Sequence, residues 1–246
     1  MFDSGACWQY QVKQAKRREL SLEDLDVFVP VSEVRVEEVG YRLACDFIEQ
    51  YEWLGNLGSA QFFFALLWRE EILSVVCFAR PTSSSSLKSQ LGEIPDLSVF
   101  QLCRGATSPI APKWAASFLI SKALKLMARS RRVCIVVAYA DPRAGEIGVV
   151  YQSANALYLG MMDSRGPGQY VILGRAYHPR SVHRLFGCAR HDVLSKIDPG
   201  YLRIQRTKKH RYVFVTAAGS RRKLIMKAIA PHVKAPPKRF HPQKSS

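Results

Sequence analysis

Asp141 ends an unbroken apolar run, residues 133–140, of the kind found in a central strand covered on both faces. The carboxyl end of such a strand is where α/β sheets place reactive side chains, and a carboxylate there could accept a proton or ligate a metal. The same residue also opens an Asp-Pro pair, in which its side chain could instead bond a nearby backbone N–H. Gly145-Glu146, Tyr151-Gln152, Asn155 and Tyr158 follow closely. That density of polar and aromatic groups suits recognition of a planar base by stacking and amide hydrogen bonds, and equally suits packing of Tyr151 and Tyr158 in the core.

Upstream, Arg104-Gly105 follows the strand-like stretch 97–103, and an irregular loop leads to a helix starting near Pro112 with Ser117 in its first turns. A strand end beside a helix N-terminus offers free backbone N–H groups and a positive dipole end to a phosphate. Arg104 and Ser117 are therefore candidates to touch a pyrophosphate or carboxylate. A surface ion pair and a small packing residue are their simpler roles. Tyr51-Glu52-Trp53-Leu54-Gly55 closes another helix and reads most simply as a capped hinge.

A sheet is needed to gather these residues, and the pattern supplies one. Residues 27–32 read as a strand and 36–51 as an amphipathic helix. Residues 60–68 and 72–79 read as a hairpin, and 81–95 as a Ser- and Pro-rich loop. Beyond the stretch 97–103, a helix over 113–128 and the run 133–140, the pattern predicts a short helix at 145–154 and strands at 157–162 and 169–173. It then predicts helical fragments at 181–185 and 192–197, a late strand at 212–216 and a basic helix at 221–230. Such alternation defines an α+β fold with α/β-like order around one central sheet. Three segments follow: an N-terminal extension (1–26) with a short helix around 11–20, from which little function is expected, a catalytic domain (27–198) and a basic C-terminal segment (199–246).

With 246 residues, 48% hydrophobic and 23% charged, the chain is too apolar for disorder. Its longest uncharged apolar runs, 62–68 and 133–140, fall far short of the roughly 20 residues of a membrane span. No secretory signal is recognisable, so a cytoplasmic location is expected. The six cysteines form no CxxC pair and the six histidines show no metal-ligand spacing, so reduced thiols are expected; the nearest approach to a metal cluster is His183, Cys188 and His191.

The net charge of +16 is local: residues 199–246 hold 13 Lys and Arg and no Asp or Glu, which leaves +3 for the first 198 residues. Arg203, Arg206, Lys208, Lys209, Arg211, Arg221, Arg222 and Lys223 lie among aromatics and hydrogen-bonding residues, as on a surface for a phosphate backbone. The expected partner is nucleic acid; a solvated basic tail is the alternative, and a membrane surface is not expected. The oligomeric state is left open, a dimer included.

Taken together, Tyr51-Glu-Trp-Leu-Gly55, Val76-Cys-Phe78, Leu102-Cys-Arg-Gly-Ala106, Lys113 to Lys122 and the stretch from Tyr139-Ala-Asp141 through Gly145-Glu-Ile-Gly148 to Tyr151-Gln152 resemble the Mom family of Mu-like bacteriophages. The resemblance covers about residues 40–165. It implies a fold like the GNAT acyltransferases, with a mixed central sheet flanked by helices, and an enzyme that converts adenine in double-stranded phage DNA to its N6-carbamoylmethyl derivative, which protects that DNA from host restriction. It implies that Arg104, Gly105 and Ser117 bind the acyl donor, and that Asp141, Tyr151, Tyr51 and Glu52 surround the adenine with Asp141 as the base. The donor it implies is acetyl-CoA or a glycyl donor such as glycyl-tRNA, with tRNA then a second partner, and iron is a possible metal. One departure stands out: between Gly105 and Ser117 there is no glycine and there are two prolines, unlike a glycine-rich pyrophosphate loop. Two other functions stay open on the same fold, a non-catalytic nucleic-acid-binding protein and an N-acetyltransferase for a small amine or a protein.

Overall fold

The computed structural model describes residues 7–21, 23, 27–81, 87, 90–92, 94–162, 167–177, 179–205 and 207–238. Its centre is a seven-stranded sheet ordered β1-β2-β3-β4-β5-β10-β6. These strands are β1 (Val34–Glu38), β2 (Phe62–Trp68), β3 (Glu71–Ala79), β4 (Val99–Thr107), β5 (Ile135–Ala140), β6 (Leu157–Met162) and β10 (Lys209–Val215). The one parallel pair is β4 with β5; every other neighbour is antiparallel.

Side chains alternate across the pleat, so each strand feeds two cores. Phe64, Leu66, Val76, Phe78, Val136 and Ala138 point to the face covered by helix α3 (Ala115–Arg131), which buries Leu119, Ile120, Ala123 and Met127 against them. Their neighbours Phe63, Ala65, Val75 and Cys77 meet Ala44, Phe47 and Ile48 of α2 (Tyr41–Tyr51) on the other face. Further along that face, Ile135, Val137, Leu159 and Val213 are covered by Ile225 and Ile229 of α7 (Gly219–Ile229). Burial on both sides explains why β2, β3 and β5 read as continuous apolar runs.

The helix expected over 36–51 is divided: Val34-Arg-Val36 alternates with period two and pairs with β2, and the helix starts only after Gly40. No strand covers 27–32; the chain there ends in a 3-10 turn at Val31–Glu33. Between β6 and β10 lies a separate small unit, a three-stranded sheet β8-β7-β9 built from β7 (Pro167–Ile172), β8 (Arg175–Tyr177) and β9 (Leu202–Gln205). Helices α5 (Pro179–Phe186) and α6 (His191–Ile197) accompany it, and Val182 and Leu194 pack with Tyr170 and Ile172 in its own core. The polypeptide then returns to the main sheet as β10, so residues 199–246 contribute an inner strand rather than only an appended tail.

The parallel ladder runs only from Val99↔Ile135 to Leu102↔Ala138, although β4 continues to Thr107 and β5 to Ala140. The β3–β4 ladder changes register in the same place, pairing Cys77 with Arg104 but Phe78 with Leu102, which leaves Cys103 as a bulge. Bulges bend and twist a strand. Here the bend coincides with the parting of β4 from β5, and a wedge opens at the carboxyl ends of both strands.

Candidate active site

A cavity of about 430 Å³ occupies that wedge. Its walls come from β4 (Arg104, Gly105), the end of β5 (Tyr139, Asp141), the following segment with helix α4, Val149–Ser153 (Glu146, Tyr151), and the end of α2 (Glu52, Trp53). Helix α1, Trp8–Arg17, closes a further side with Gln9, Tyr10 and Lys13.

Asp141 stands where the sequence places it, at the end of β5 and on the cavity wall. The turn role is visible: Oδ1 accepts the Arg143 N–H at 3.0 Å, capping the turn Pro142–Ala144, while Oδ2 pairs with Lys209 Nζ at 3.0 Å. Its side chain keeps 17% exposure, and the residue lines the cavity. Glu146 lies alongside. One of its carboxylate oxygens accepts the Asp141 backbone N–H at 3.0 Å and the other the Trp53 indole N–H at 3.2 Å. Burial pushes the Glu146 carboxyl above its ordinary range, opposed by those two hydrogen bonds. Glu52, 8% exposed, is pushed up by burial as well, against the pull of the Arg104 guanidinium and of the Leu54 and Gly55 N–H groups that it accepts at 2.8 and 3.1 Å.

Tyr151 lines the cavity with its hydroxyl donating to the Tyr139 carbonyl at 3.4 Å, and burial keeps that phenol protonated far into the alkaline range. Its ring packs on Tyr212 and Phe214, which is the core-packing role the sequence allows. Tyr212 in turn underlies Gly148, at φ +73°, where a Cβ would overlap the Tyr212 ring. Only glycine lets the chain cross that ring so closely.

Tyr51 departs from expectation. It is absent from the cavity wall and packs on Phe47, with ring centroids 4.7 Å apart, on the α2 side of the sheet. Helical geometry turns it away from Glu52, which lies just past the helix end. Ser117 also falls outside the wall: its hydroxyl donates to the Trp114 carbonyl within its own helix at 3.1 Å. Arg104 and Gly105 are on the wall, but the Arg104 guanidinium is anchored to the Asn56 carbonyl at 2.7 Å, the Asn56 side chain at 3.1 Å and the Cys103 carbonyl at 2.7 Å.

The basic residues are spread around the molecule. Lys209 lines the cavity and Lys208 is exposed beside it. Arg203, in the small unit, sits over the Tyr170 and Tyr201 rings and donates to the Ala189 carbonyl. Arg211 is 4% exposed, its guanidinium turned to Gln90, and is withheld from a phosphate backbone. Arg221, Arg222 and Lys223 begin α7, and Arg222 donates to the Val215 carbonyl. Val215 pairs with Ile135 whereas His210 pairs with Ala140, so this cluster lies at the opposite end of the strands from Asp141, roughly 20 Å away by strand rise. Arg206 lies outside the described residues.

The short helix expected over 11–20 is α1, Trp8–Arg17, but its place on the cavity wall and the structural use of Glu146 and Trp53 were not legible in the sequence. Gln9 clamps the end of α2, donating to the Tyr51 carbonyl at 2.7 Å and accepting the Trp53 N–H at 3.2 Å, while Trp8 meets Trp53 edge to face at 4.9 Å. Nothing local could have signalled contacts across more than 40 residues. Among the described residues no group of three or more His, Cys, Asp and Glu side chains could hold a metal, so the residues present do not fit iron, and His183, Cys188 and His191 form no such site. Nor, among the described residues, is any helix long and apolar enough to cross a membrane.

Solved structures with a similar arrangement include ribosomal-protein-S5-alanine acetyltransferase from Vibrio fischeri, at 9% identity and TM-score 0.42, covering 78% of this chain and 97% of that one. A spermidine/spermine N-acetyltransferase from Vibrio cholerae, solved with manganese ions, matches at 12% identity and TM-score 0.40, covering 75% of this chain and 94% of its own. An N-acetyltransferase from Campylobacter jejuni, solved with acetyl coenzyme A, matches at 11% identity and TM-score 0.37, covering 75% and 99%. No curated protein sequence matches this chain. The Mom protein family model matches residues 33–232, a span that takes in the whole seven-stranded sheet and every cavity wall except α1. The chain therefore belongs to the Mom protein family.

Proposed function

We propose that this protein transfers an acyl group to the N6 amine of an adenine extruded from duplex DNA, and that the product is the N6-carbamoylmethyl base. The observation that carries the reading is the meeting of Asp141, Glu146 and Tyr151 around one cavity at the parting of β4 and β5. Family membership supports it.

The lone pair of adenine N6 is delocalised into the ring, so attack needs close placement, an activated carbonyl and a base. Asp141 is that base; it lines the cavity with its carboxylate paired to Lys209. Glu146 is a positioning residue that holds the Asp141 backbone. Tyr151 supplies an aromatic wall for the purine. With a glycyl donor the N6–C bond forms as the ester or thioester bond breaks; the proton from N6 passes to Asp141 and on to the leaving oxygen or sulfur. The N6-glycyl adenine then has the same atoms as the carbamoylmethyl product. Attack of its free amine on C6 and scission of the original C6–N6 bond converts one into the other without any further reactant. Acetyl-CoA at the same cavity would give N6-acetyladenine instead. Extruding the base costs a few kcal/mol, which phosphate contacts from Lys209 on the cavity wall help to offset.

The three carboxylates Glu52, Asp141 and Glu146 also suit a small cationic amine as acceptor. Lys13, Arg104 and Lys209 in the same walls balance them, which favours the neutral base in a polyanion. Nucleoside mass spectrometry of DNA from cells expressing the wild type or Asp141→Ala tests the reading. A modified adenine with the wild type alone is the expected result; unmodified DNA in both cells rejects it.

A further inference from the structure

Part of the backbone in the connection from β4 to α3 is spent locally. The Ser108 and Ala111 N–H groups are used by the Leu73 and Ser108 carbonyls, and Pro109 and Pro112 have none. What this connection presents to α1 is carbonyl oxygen, which repels phosphate. Two cations of α1 cover those oxygens: Lys13 Nζ donates to the Ala111 carbonyl at 3.0 Å and the Thr107 hydroxyl at 3.2 Å, and Arg17 donates to the Pro109 carbonyl at 3.0 Å.

Of the three cations on the cavity wall, Lys209 is paired with Asp141, and Arg104 is anchored to Asn56 and acts on Glu52. Lys13 alone among these described residues has no carboxylate beside it; the charge that acts on it is the Arg17 guanidinium, of the same sign. An ammonium has three N–H bonds, and the two acceptors account for two of them. We infer that Lys13, backed by Arg17, is the anion-binding group of the donor site, where it takes a phosphate ester of the acyl donor against α1. The inference rests on the acyl-transfer reading and makes α1, which lies outside the family-matched residues, a wall of the donor site. Burial and Arg17 bring the Lys13 ammonium down to about 8, as for a cation lacking its counter-ion.

A phosphate could arrive on coenzyme A or on the 3′ end of a charged RNA, and calorimetry on the full chain separates the two. The paired probes are acetyl-CoA with S-acetylpantetheine, and glycyl-CCA trinucleotide with 3′-O-glycyl adenosine. Expected is a preference for the phosphate-bearing member of one pair, reduced about tenfold by Lys13→Gln and kept by Lys13→Arg. The pair that shows it names the carrier. Should Lys13→Gln not fold, the wild type and Lys13→Arg decide: as pH rises through about 8 the wild type loses its preference for the phosphate-bearing probe over its phosphate-free partner, and Lys13→Arg keeps it. The other charged groups on this cavity wall are Glu52, Arg104, Asp141, Glu146 and Lys209, and its other titratable groups are Cys7, Tyr10, Cys103, Tyr139 and Tyr151. Lys13→Arg separates Lys13 from them, because it flattens the profile while leaving all of them in place. Equal binding of both members by the wild type, or a preference untouched by Lys13→Gln, overturns the inference and leaves the acyl-transfer reading standing if DNA is still modified. Loss of all donor binding together with unmodified DNA overturns both.

Discussion

Glu146 holds Asp141 by its backbone: one carboxylate oxygen accepts the Asp141 N–H at 3.0 Å while the other accepts the Trp53 indole N–H at 3.2 Å. The end of β5 is thereby tied to the segment after α2, while the Asp141 carboxylate itself accepts the Arg143 N–H and pairs with Lys209. Substitutions at the two acids should therefore fail differently. Asp141→Asn removes the base and should lower DNA modification by about 10²–10⁴-fold with duplex affinity kept. Glu146→Gln retains one acceptor and should cost less, and quantitative nucleoside mass spectrometry beside a DNA-binding titration reads both.

Burial places the Glu146 ionisation above that of an ordinary carboxyl, so the folded state holds this proton to higher pH than the unfolded chain does. The stability that this proton contributes is complete below the unfolded value and is lost as pH rises through the folded one. Glu146→Gln abolishes that loss. Melting temperatures of wild type and variant, compared from acid to neutral pH, should converge or cross in favour of the variant as pH rises; parallel curves would remove the buried ionisation.

Gly148→Ala forces a left-handed alanine against the Tyr212 ring, which is itself held by the Gln152 amide at 3.0 Å and by the Ile147 carbonyl. Strain and overpacking together should cost about 3 kcal/mol, or roughly 6–12 °C in melting temperature for a domain of this size. Differential scanning calorimetry checks this directly.

Lys209 stands at the cavity while Arg221 and Arg222 lie at the far end of the same strands. If DNA is gripped at the cavity mouth, Lys209→Gln should reduce the slope of log affinity against log salt by about 1. Arg221→Gln with Arg222→Gln should leave that slope unchanged. A larger change from the helix pair would move the DNA path to the other end of the sheet.

Much of the core was legible in order along the chain. The runs at 62–68, 71–79 and 135–140 are continuous because both faces of those strands are covered, and a buried run needs no partner to be recognised. Asp141 was legible for the same reason, as the residue where such a run stops. Boundaries failed where a short edge strand adjoined a helix: Val34–Glu38 is a half-exposed strand whose period-two signal spans five residues only. Tyr51 and Ser117 failed because adjacency along a chain does not fix which side of a helix a side chain takes.

A two-faced central sheet, a carboxylate at the end of its most buried strand and an excess of positive charge are each written in consecutive residues. Which groups share a cavity follows from the packing of distant segments. The bulge at Cys103 parts β4 from β5, α1 returns across more than 90 residues to place Lys13 against Thr107 and Ala111, and the strand direction of β10 sends Lys209 to the cavity and Arg222 away from it. Those relations depend on ladder register and on contacts between distant segments, and neither leaves a trace in local composition.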